Sequence, residues 1–307
     1  MKLRDVSTDL RTIIVDATVS GKWAAGSEIV ITSHTKKWDG HQVRTISRVS
    51  PYGTNGAYVA LLLNSAIERP TTLIDSPDFA VEIALLSRNI VFQGGSDSNS
   101  FHGGHFWIMQ TPKVQQYIEG IDFQKFGQQG SLGRYPIHFH LCGDVTGSVV
   151  LKNTVRLSNQ RCIVVHGTDN LRIESNVAFN TKGHCFMLED GIETGNTFIR
   201  NIGVMTTVQS RLIPNMGTNG IETDNVPATF WMTNPTNSWI ENVAAGSERS
   251  GFWFEMLKRG TRASRFPNIN PAHDSLTLFQ NNVAHSNAVV RFAIYKHMVH
   301  CPSESMY

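Results

Sequence analysis

The pattern of apolar and polar positions divides the chain into two parts near residue 95. Before this point, short apolar segments such as EIVIT, AYVALLL and AVEIALL are separated by turn signals such as SGKWAAGSE and SPYGTNGAY. Segments of this length, bounded by Gly, Pro, Asn and Ser, are typical of β-strands, and no long helical period is present. The pattern therefore predicts a β-rich domain over residues 1–95 and a second domain over residues 96–307.

The second domain repeats a motif in which asparagine precedes a small or branched apolar residue. Its copies VLKNTV, IESNVA, FIRNIG, WIENVA and FQNNVA are centred on Asn153, Asn176, Asn201, Asn242 and Asn282. The first gaps, 153 to 176 and 176 to 201, are 23 and 25 residues, a period typical of a solenoid. The later gaps of 41 and 40 residues suit either one coil with an inserted loop or a second, unmarked coil.

Asparagine is well suited to the corner of a β-helix. It tolerates the left-handed backbone conformation, and its amide can hydrogen-bond to the asparagine of the next coil. The alternative is that Asn-rich loops recur by chance in a β protein. The matching apolar residues beside each asparagine favour the first interpretation, so we predict an all-β fold in which a parallel β-helix follows the first domain.

Counting from each repeat asparagine aligns polar side chains from successive coils. Nine residues on lie Cys162, Cys185 and Gly251, and thirteen residues on lie His166, Glu189 and Glu255. If the strand alternates without a bulge, these two columns share one face, and Arg161 and His184, eight residues on, point the opposite way. Counting leaves open whether the thirteenth column stays inside the solenoid or emerges at the strand end.

Composition limits the classes of partner. The chain has 40% hydrophobic and 17% charged residues, and its net charge of +2 does not suggest nucleic-acid binding. No apolar run approaches the roughly 18 residues of a membrane span, and the N-terminal MKLRDVSTDLR is too charged for a signal peptide. We therefore expect no membrane span, signal peptide or anchor in this chain.

The four cysteines, Cys142, Cys162, Cys185 and Cys301, lack the paired CxxC spacing of a zinc site. They are also too sparse for a disulfide scaffold. We expect them to be buried thiols.

Two histidines in RYPIHFHLCGD are candidates for chemistry. His138 and His140 are two residues apart on an apparent strand, which places both imidazoles on one face. An HxH pair can bind a divalent transition metal if a neighbouring strand supplies a third ligand, and His166 and His184 are the available partners. We favour His138, His140 and His184 as the metal set. The alternative is that stacked histidines hydrogen-bond to one another and do no chemistry.

The segment MLEDGIE supplies carboxylates. Glu189 and Asp190, with Glu193, Asp144 and Glu255, can provide the pair that glycosidic cleavage needs, one protonated and one ionised. The alternative is that LEDG is a polar turn.

Basic and aromatic residues near the coil edges suit an acidic sugar. Arginine can hold a sugar carboxylate with two parallel hydrogen bonds. The candidates for substrate binding are Arg134, Tyr135, Arg161 and Glu255. Each arginine taken alone is equally compatible with a solvated surface charge.

Longer motifs resemble a known family. GRYPIHFHLCGDV, SNQRCIVVHGTDNL, GHCFMLEDGIETGNTF and SWIENVAAGSERSGFWF are similar to the family of the cell migration-inducing, hyaluronan-binding protein and transmembrane protein 2, which shares this region with fibrocystin-like proteins. The resemblance implies a right-handed parallel β-helix preceded by part of an eight-glycine domain. It also implies a secreted or cell-surface protein that binds and depolymerises hyaluronan, with calcium dependence.

The chain departs from that family in three places. Ser27 stands where relatives usually carry Asp, the stretch from Arg211 to Thr229 lacks the cysteines that relatives place there, and the tail after Asn287 stops short of further coils. We expect the chain to begin inside the eight-glycine domain.

The leading hypothesis is endo-hydrolysis of an acidic polysaccharide such as hyaluronan, bound along the solenoid flank. The candidate catalytic residues are His138, His140, His166, His184, Glu189 and Asp190. Calcium or a transition metal at the histidines is the expected cofactor. Two alternatives remain open: a non-catalytic glycan-binding or adhesion module, and a polysaccharide lyase.

Overall fold

The computed structural model describes residues 1–68, 81–95, 101–111, 114–211, 213, 224–256, 258, 260 and 269–295. Helical structure in these residues is limited to short 3-10 turns at Ala17–Val19, Thr54–Gly56 and Pro271–His273. None of these helices is long and apolar enough to cross a membrane. The described chain is otherwise built from β-strands, as the sequence predicts.

An antiparallel sheet forms the first domain. Its strands are β1 (Asp5–Val6), β2 (Thr12–Asp16), β3 (Glu28–Ile31), β4 (Gln42–Tyr52), β5 (Tyr58–Leu63) and β6 (Ile83–Leu85). They lie in the order β1-β2-β5-β4-β3-β6. One face of this sheet buries an apolar core that includes Ile13, Ile29 and Leu61.

The rest of the described chain winds through three parallel sheets. The first, sheet A, contains β7 (Ile90–Gln93), β10 (Ile121–Gln124), β13 (Thr154–Arg156), β16 (Val177–Lys182), β19 (Ile202–Thr207), β22 (Val243–Ser247) and β25 (Val283–His285). Sheet B contains β8 (Phe106–Met109), β11 (Ile137–Asp144), β14 (Ile163–Asp169), β17 (Phe186–Leu188), β20 (Ala228–Met232), β23 (Ser250–Glu255) and β26 (Val290–Tyr295). Sheet C contains β9 (Tyr117–Glu119), β12 (Val149–Leu151), β15 (Arg172–Glu174), β18 (Thr197–Ile199), β21 (Ser238–Ile240) and β24 (Leu278–Gln280).

Each coil takes one strand from sheet A, one from sheet B and one from sheet C, and it stacks in register on the next. The fold is the parallel β-helix that the sequence predicts. The first solenoid strand, β7, lies just before residue 95. Both long gaps between repeat asparagines are single coils with insertions, between β19 and β20 and between β23 and β24.

The repeat asparagines form a continuous buried ladder between sheets C and A. The side-chain oxygen of Asn176 accepts from the backbone N–H and the amide of Asn153, and the Asn176 amide donates to Val150 O and Asn201 Oδ1. The same pattern continues through Asn242 to Asn282. Because each amide satisfies backbone groups of two coils, the ladder fixes the stacking register.

The solenoid interior is apolar and stacked. Phe230 lies between Phe186 and Phe252, with ring centroids 4.8 and 4.6 Å away. Cys162 and Cys185 also lie in this core and form a disulfide bond, so the expectation of free thiols at these two positions is wrong. They occupy equivalent positions in adjacent coils, which brings their Cα atoms to 4.5 Å. Cys142 is a buried free thiol, and Cys301 lies outside the described residues.

The first domain packs on the outer face of sheet A. Val30 and Leu86 contact an apolar strip that includes Phe179 and Val204. Two ion pairs border this contact: Arg156 Nη1 is 2.7 Å from Glu28 Oε2, and His285 Nε2 is 2.9 Å from Glu82 Oε2. Sheet A is therefore covered, and the outer face of sheet B is the one that carries the polar cluster described next.

Candidate functional site

Three histidines meet on the outer face of sheet B. In β11 and β14, Ile137, Phe139, Ile163 and Val165 point into the core, and the alternate residues point outward. Register pairs His140 with His166. The ring centroids of His138 and His166 are 5.7 Å apart, and those of His140 and His166 are 4.8 Å apart. One potential ligand atom from each of His138, His140 and His166 lies within 4.8 Å of the others.

Hydrogen bonds orient two of these rings. His138 Nδ1 donates to Gly133 O at 2.9 Å, because a carbonyl oxygen can only accept. His166 Nε2 donates to the Asp190 carboxylate at 2.8 Å. The remaining nitrogens, His138 Nε2 and His166 Nδ1, face the interior of the cluster, and His166 Nδ1 is 3.0 Å from His140 Nδ1.

Glu189 connects the histidines to a second group of buried residues. Its Oε1 accepts hydrogen bonds from the Tyr135 hydroxyl and from Arg161 Nη1, both at 3.0 Å. Its Oε2 lies 3.7 Å from His138 Nε2 and 3.6 Å from His166 Nδ1. One carboxylate therefore contacts a cation on one side and two imidazoles on the other.

Arg161 lies on the same side of the strand as the histidines. Its guanidinium contacts Glu189 and also pairs with Asp224 at 3.1 Å. The expectation that it points away from the His166 column is wrong, because Arg161 has a φ of 37° and precedes β14, where alternation starts at Ile163. For the same reason Cys162 lies in the core, whereas Val164 and His166 lie outside it. The expectation that the ninth and thirteenth columns share a face is therefore wrong for this coil.

The described residues between β19 and β20 contact this face. Ile213 packs with Val164 and Met187, and Gln129 Oε1 accepts hydrogen bonds from the Ser210 hydroxyl and the Arg211 N–H. These contacts bury part of the outer face of sheet B beside the cluster.

Burial dominates the electrostatics of the histidines. It lowers the pKa of His138 to about 3, despite the opposing charge of Glu189. Burial, with the neighbouring His166, also lowers the pKa of His140. Burial opposes protonation of His166 too, but the hydrogen bond to Asp190 and the charge of Glu189 outweigh it and raise the pKa. The cluster thus holds imidazoles with opposite protonation preferences within contact distance.

Glu193 supports the turn after Glu189. Its carboxylate accepts hydrogen bonds from the N–H groups of Gly167, Asp190 and Gly191. Burial raises its pKa to about 7, although these three donors favour the ionised form.

The cluster reaches solvent along one edge. His140 is half-buried, and its strand neighbours Trp107 and Met109 are 39% and 60% exposed. Trp107 contacts the His140 ring at 4.8 Å between centroids. The Arg134 guanidinium lies 5.0 Å from the centroid of Trp107, and it hydrogen-bonds to His105. This edge is where a ligand can meet the buried cluster.

The structure does not bring every candidate residue together. His184 lies outside the three-histidine group among the described residues, since its Nδ1 accepts the Ala228 N–H and its ring packs on Trp231. It does not complete the metal set that the sequence favours. Burial lowers its pKa to about 4. Glu255 accepts a hydrogen bond from Trp253 Nε1. Both residues lie on β23, which is two coils, or about 10 Å along the solenoid axis, from β17, so Glu255 is far from the histidines.

Two expected substrate contacts are buried. Tyr135 is fully buried and Arg161 is 1% exposed, with its guanidinium engaged by Glu189 and Asp224. The structure therefore does not support either as a direct contact with a sugar. Arg134, at the exposed edge, is the candidate that remains.

Sequence reasoning missed Trp107 and Asp224. Trp107 precedes the first repeat asparagine, so no column contained it. Asp224 lies in an insertion with no fixed spacing to Arg161. Its charge inside an otherwise uncharged stretch, TDNVPATFW, was the available signal.

The donor set bears on the expected calcium. Calcium takes roughly six to eight oxygen ligands, whereas this cluster presents three imidazole nitrogens beside Glu189. The cluster does not fit calcium.

Comparison with known proteins identifies the solenoid. Residues 101–292 match the family model described as the CEMIP beta-helix. The chain belongs to the CEMIP β-helix family. The resemblance noted from the sequence motifs is thereby confirmed, and the histidines and Glu189 lie inside the matched region.

Curated members of the family are much longer than this chain. Cell surface hyaluronidase CEMIP2 of Homo sapiens is 36% identical over 253 residues, which cover 70% of this chain and 18% of that protein. The cell surface hyaluronidase of Danio rerio is 29% identical, with coverage of 86% and 22%. The cell migration-inducing and hyaluronan-binding protein of Homo sapiens is 33% identical, with coverage of 70% and 18%. The chain thus spans about a fifth of the length of these relatives.

A solved structure, the tailspike protein gp49 of Pseudomonas phage LKA1, matches 96% of this chain and 60% of its own. Its TM-score of 0.19 and identity of 10% are too low to support an argument.

Proposed function

We propose that this chain binds an acidic polysaccharide of the hyaluronan type along the outer face of sheet B and hydrolyses it at internal bonds. The observation that carries the proposal is the buried ionic cluster around Glu189. Burying charged groups is costly, and a solenoid needs none of them to close its core. Titratable groups with strongly perturbed pKa values beside an exposed edge are typical of functional sites. The hyaluronidase names of two relatives agree with this chemistry.

The exposed edge is the proposed reacting subsite. A sugar ring stacks on Trp107, and Arg134 pairs with a uronate carboxylate. His140 is the catalytic candidate that a bound sugar touches, because it is the half-buried member of the cluster. Water adds across the glycosidic bond, with its hydroxyl on the anomeric carbon and a proton on the leaving oxygen. The candidates behind His140, which hold it in place and set its charge, are His138, His166, Glu189 and Asp190.

An extracellular location is part of the proposal. The Cys162–Cys185 disulfide is stable in oxidising compartments and rare in the cytosol. The relatives named as cell-surface proteins agree with it.

The test is incubation of the full chain with hyaluronan, chondroitin, pectate and alginate. Hydrolysis releases reducing ends without new ultraviolet absorbance, and we expect this with hyaluronan. Unsaturated, ultraviolet-absorbing products would show a lyase instead. Binding to any polymer without cleavage would show a glycan-binding module.

Matched variants locate the site. His140→Ala should lower the rate by at least about a hundredfold, and Trp107→Ala should weaken binding. The control is Tyr117→Ala, which removes another exposed aromatic residue, from sheet C. Equal effects of Trp107→Ala and Tyr117→Ala would contradict the proposed location.

A further inference from the structure

Four side-chain atoms lie close together on the outer face of sheet B. They are His138 Nε2, His140 Nδ1, His166 Nδ1 and Glu189 Oε2. We propose that these atoms bind a divalent transition metal ion in a three-histidine, one-carboxylate site. The inference concerns metal binding alone and does not rest on the proposed hydrolysis.

The spacing of the atoms fits a coordination sphere. Ligand atoms about 2.0–2.1 Å from a tetrahedral zinc ion are about 3.3 Å from one another. Here His140 Nδ1 is 3.0 Å from His166 Nδ1, and Glu189 Oε2 is 3.6 Å from His166 Nδ1 and 3.7 Å from His138 Nε2. These three distances lie on both sides of the ideal value. Because the histidine ligand atoms lie within 4.8 Å of one another, side-chain shifts would bring the longer pairs to coordination distance when an ion enters.

The ring orientations also favour metal binding. Since His138 donates through Nδ1 to Gly133 O, its Nε2 carries a lone pair. Since His166 donates through Nε2 to Asp190, its Nδ1 can carry a lone pair as well. A carbonyl or carboxylate that holds the far nitrogen of a histidine is the usual second layer of a metal site. The structure therefore provides both the ligand atoms and the groups that hold the far nitrogens of His138 and His166.

The environment of His138 gives an independent reason. Its side chain is 1% exposed, and its Nε2 has no hydrogen-bond partner among the residues that the structure describes. A buried nitrogen without a partner is destabilising, and a metal ion would satisfy it. Because Tyr135 and Arg161 hold the other oxygen of Glu189, the oxygen facing the imidazoles is fixed in place.

The donor set indicates the class of ion. Imidazole nitrogen with one carboxylate suits zinc and its neighbours in the first transition row, and it does not suit calcium or magnesium. Once bound, such an ion can polarise a substrate oxygen or lower the pKa of a bound water.

The experiment measures metal binding directly. The full chain is stripped with a chelator, dialysed, and titrated with Zn²⁺ by calorimetry and with Co²⁺ by visible absorption. We expect one ion per chain, and X-ray absorption of the zinc form should show nitrogen and oxygen neighbours at about 2.0–2.1 Å. Absence of stoichiometric binding to the wild-type chain would overturn the inference.

Two variants test which histidines bind the metal. One changes His140, a ligand in the proposed site, and the other changes His184, which only the sequence analysis favoured. His140→Ala changes a half-buried residue, so it should fold, and it should lose at least tenfold in metal affinity together with the cobalt spectrum. His184→Asn keeps an acceptor for the Ala228 N–H and should bind one ion as the wild type does. Thermal melting of both metal-free variants checks folding. Unchanged binding by folded His140→Ala, or loss of binding by folded His184→Asn, would contradict the proposed ligands.

Discussion

The two faces of strand β14 bury different kinds of side chain. Its inward residues, Ile163 and Val165, join an apolar core that continues through every coil. Its outward residue His166 joins a cluster with Glu189 and Asp190, which is almost as well buried. The same strand therefore contributes to a hydrophobic core on one side and to an ionic network on the other.

The difference separates what stabilises the fold from what the site requires. Apolar residues of about the right size satisfy the core, because burial is non-directional. The outer network instead requires each charge to keep its partner, since an unpaired buried charge is strongly unfavourable. Substitutions in the core should therefore destabilise the fold through lost packing, whereas substitutions in the outer network should destabilise it by leaving charges unpaired.

The largest effect is expected from breaking the ionic network at its cation. Arg161→Ala leaves Glu189 and Asp224 buried without their guanidinium, and it should lower the free energy of unfolding by about 3–5 kcal/mol. Urea denaturation measures this loss. Lys152→Ala is the control, because Lys152 is 62% exposed and pairs with Glu119 on the surface, so its loss should stay below about 1 kcal/mol. Equal losses would show that Arg161 is not a structural centre of the network.

The asparagine ladder gives the corresponding test for the solenoid corner. Asn176→Ala removes hydrogen bonds to Asn153, Val150 and Asn201, and it should cost about 2–3 kcal/mol. Asn282→Ala removes the last rung described and should cost less, since Asn282 is only partly buried. Urea denaturation compares the two. A larger loss for Asn282→Ala would contradict the ladder as the source of register.

The repeat could be predicted from the sequence because its period and its asparagines follow from backbone geometry. The pairing of His138 with His140 followed from strand alternation. Counting also listed His166 as an available partner, but the metal set that we favoured from the sequence had His184 in its place. His166 lies in β14, which alternates from Ile163, whereas His184 precedes β17 and packs on Trp231.

Other features needed long-range information. The contact of Asp224 with Arg161 joins an insertion to a coil 63 residues away in sequence. The disulfide, in contrast, was within reach of the sequence, since Cys162 and Cys185 occupy the same position in consecutive coils. The sequence analysis missed this disulfide because it considered the number of cysteines and not their position in the repeat.

The pH dependence of stability tests the contribution of Glu82, a buried carboxylate in the first domain. Burial opposes ionisation of Glu82, but the hydrogen bond and charge of His285, with a hydrogen bond from Thr32, outweigh it and lower its pKa below 4.5. Because the folded-state pKa is lowered, Glu82 stabilises the protein above pH 4.5, and this contribution disappears as pH falls through the folded value.

Melting temperatures of wild type and Glu82→Gln from pH 7 to pH 3 measure that contribution. The wild type should be the more stable at neutral pH, and the difference should shrink in acid. Asn176→Ala is the control, because Asn176 does not titrate. Its melting temperature should stay below that of the wild type by a constant amount across this pH range. A difference between wild type and Glu82→Gln that grows in acid would contradict the direction of the Glu82 shift.

The smallest effect on stability is expected at the exposed edge. Arg134→Ala removes a half-buried guanidinium from Trp107 and His105, and it should change the free energy of unfolding by less than about 0.5 kcal/mol. If this edge holds an acidic glycan, the same variant should weaken hyaluronan binding several-fold at low salt and less at high salt, because salt screens exposed charges. Binding is measured by calorimetry at two salt concentrations, with Lys152→Ala, directly after β12, as the charge-matched control. Retained stability with lost binding would place Arg134 with the function of the outer face, whereas equal loss of binding in Lys152→Ala would reduce its role to net charge.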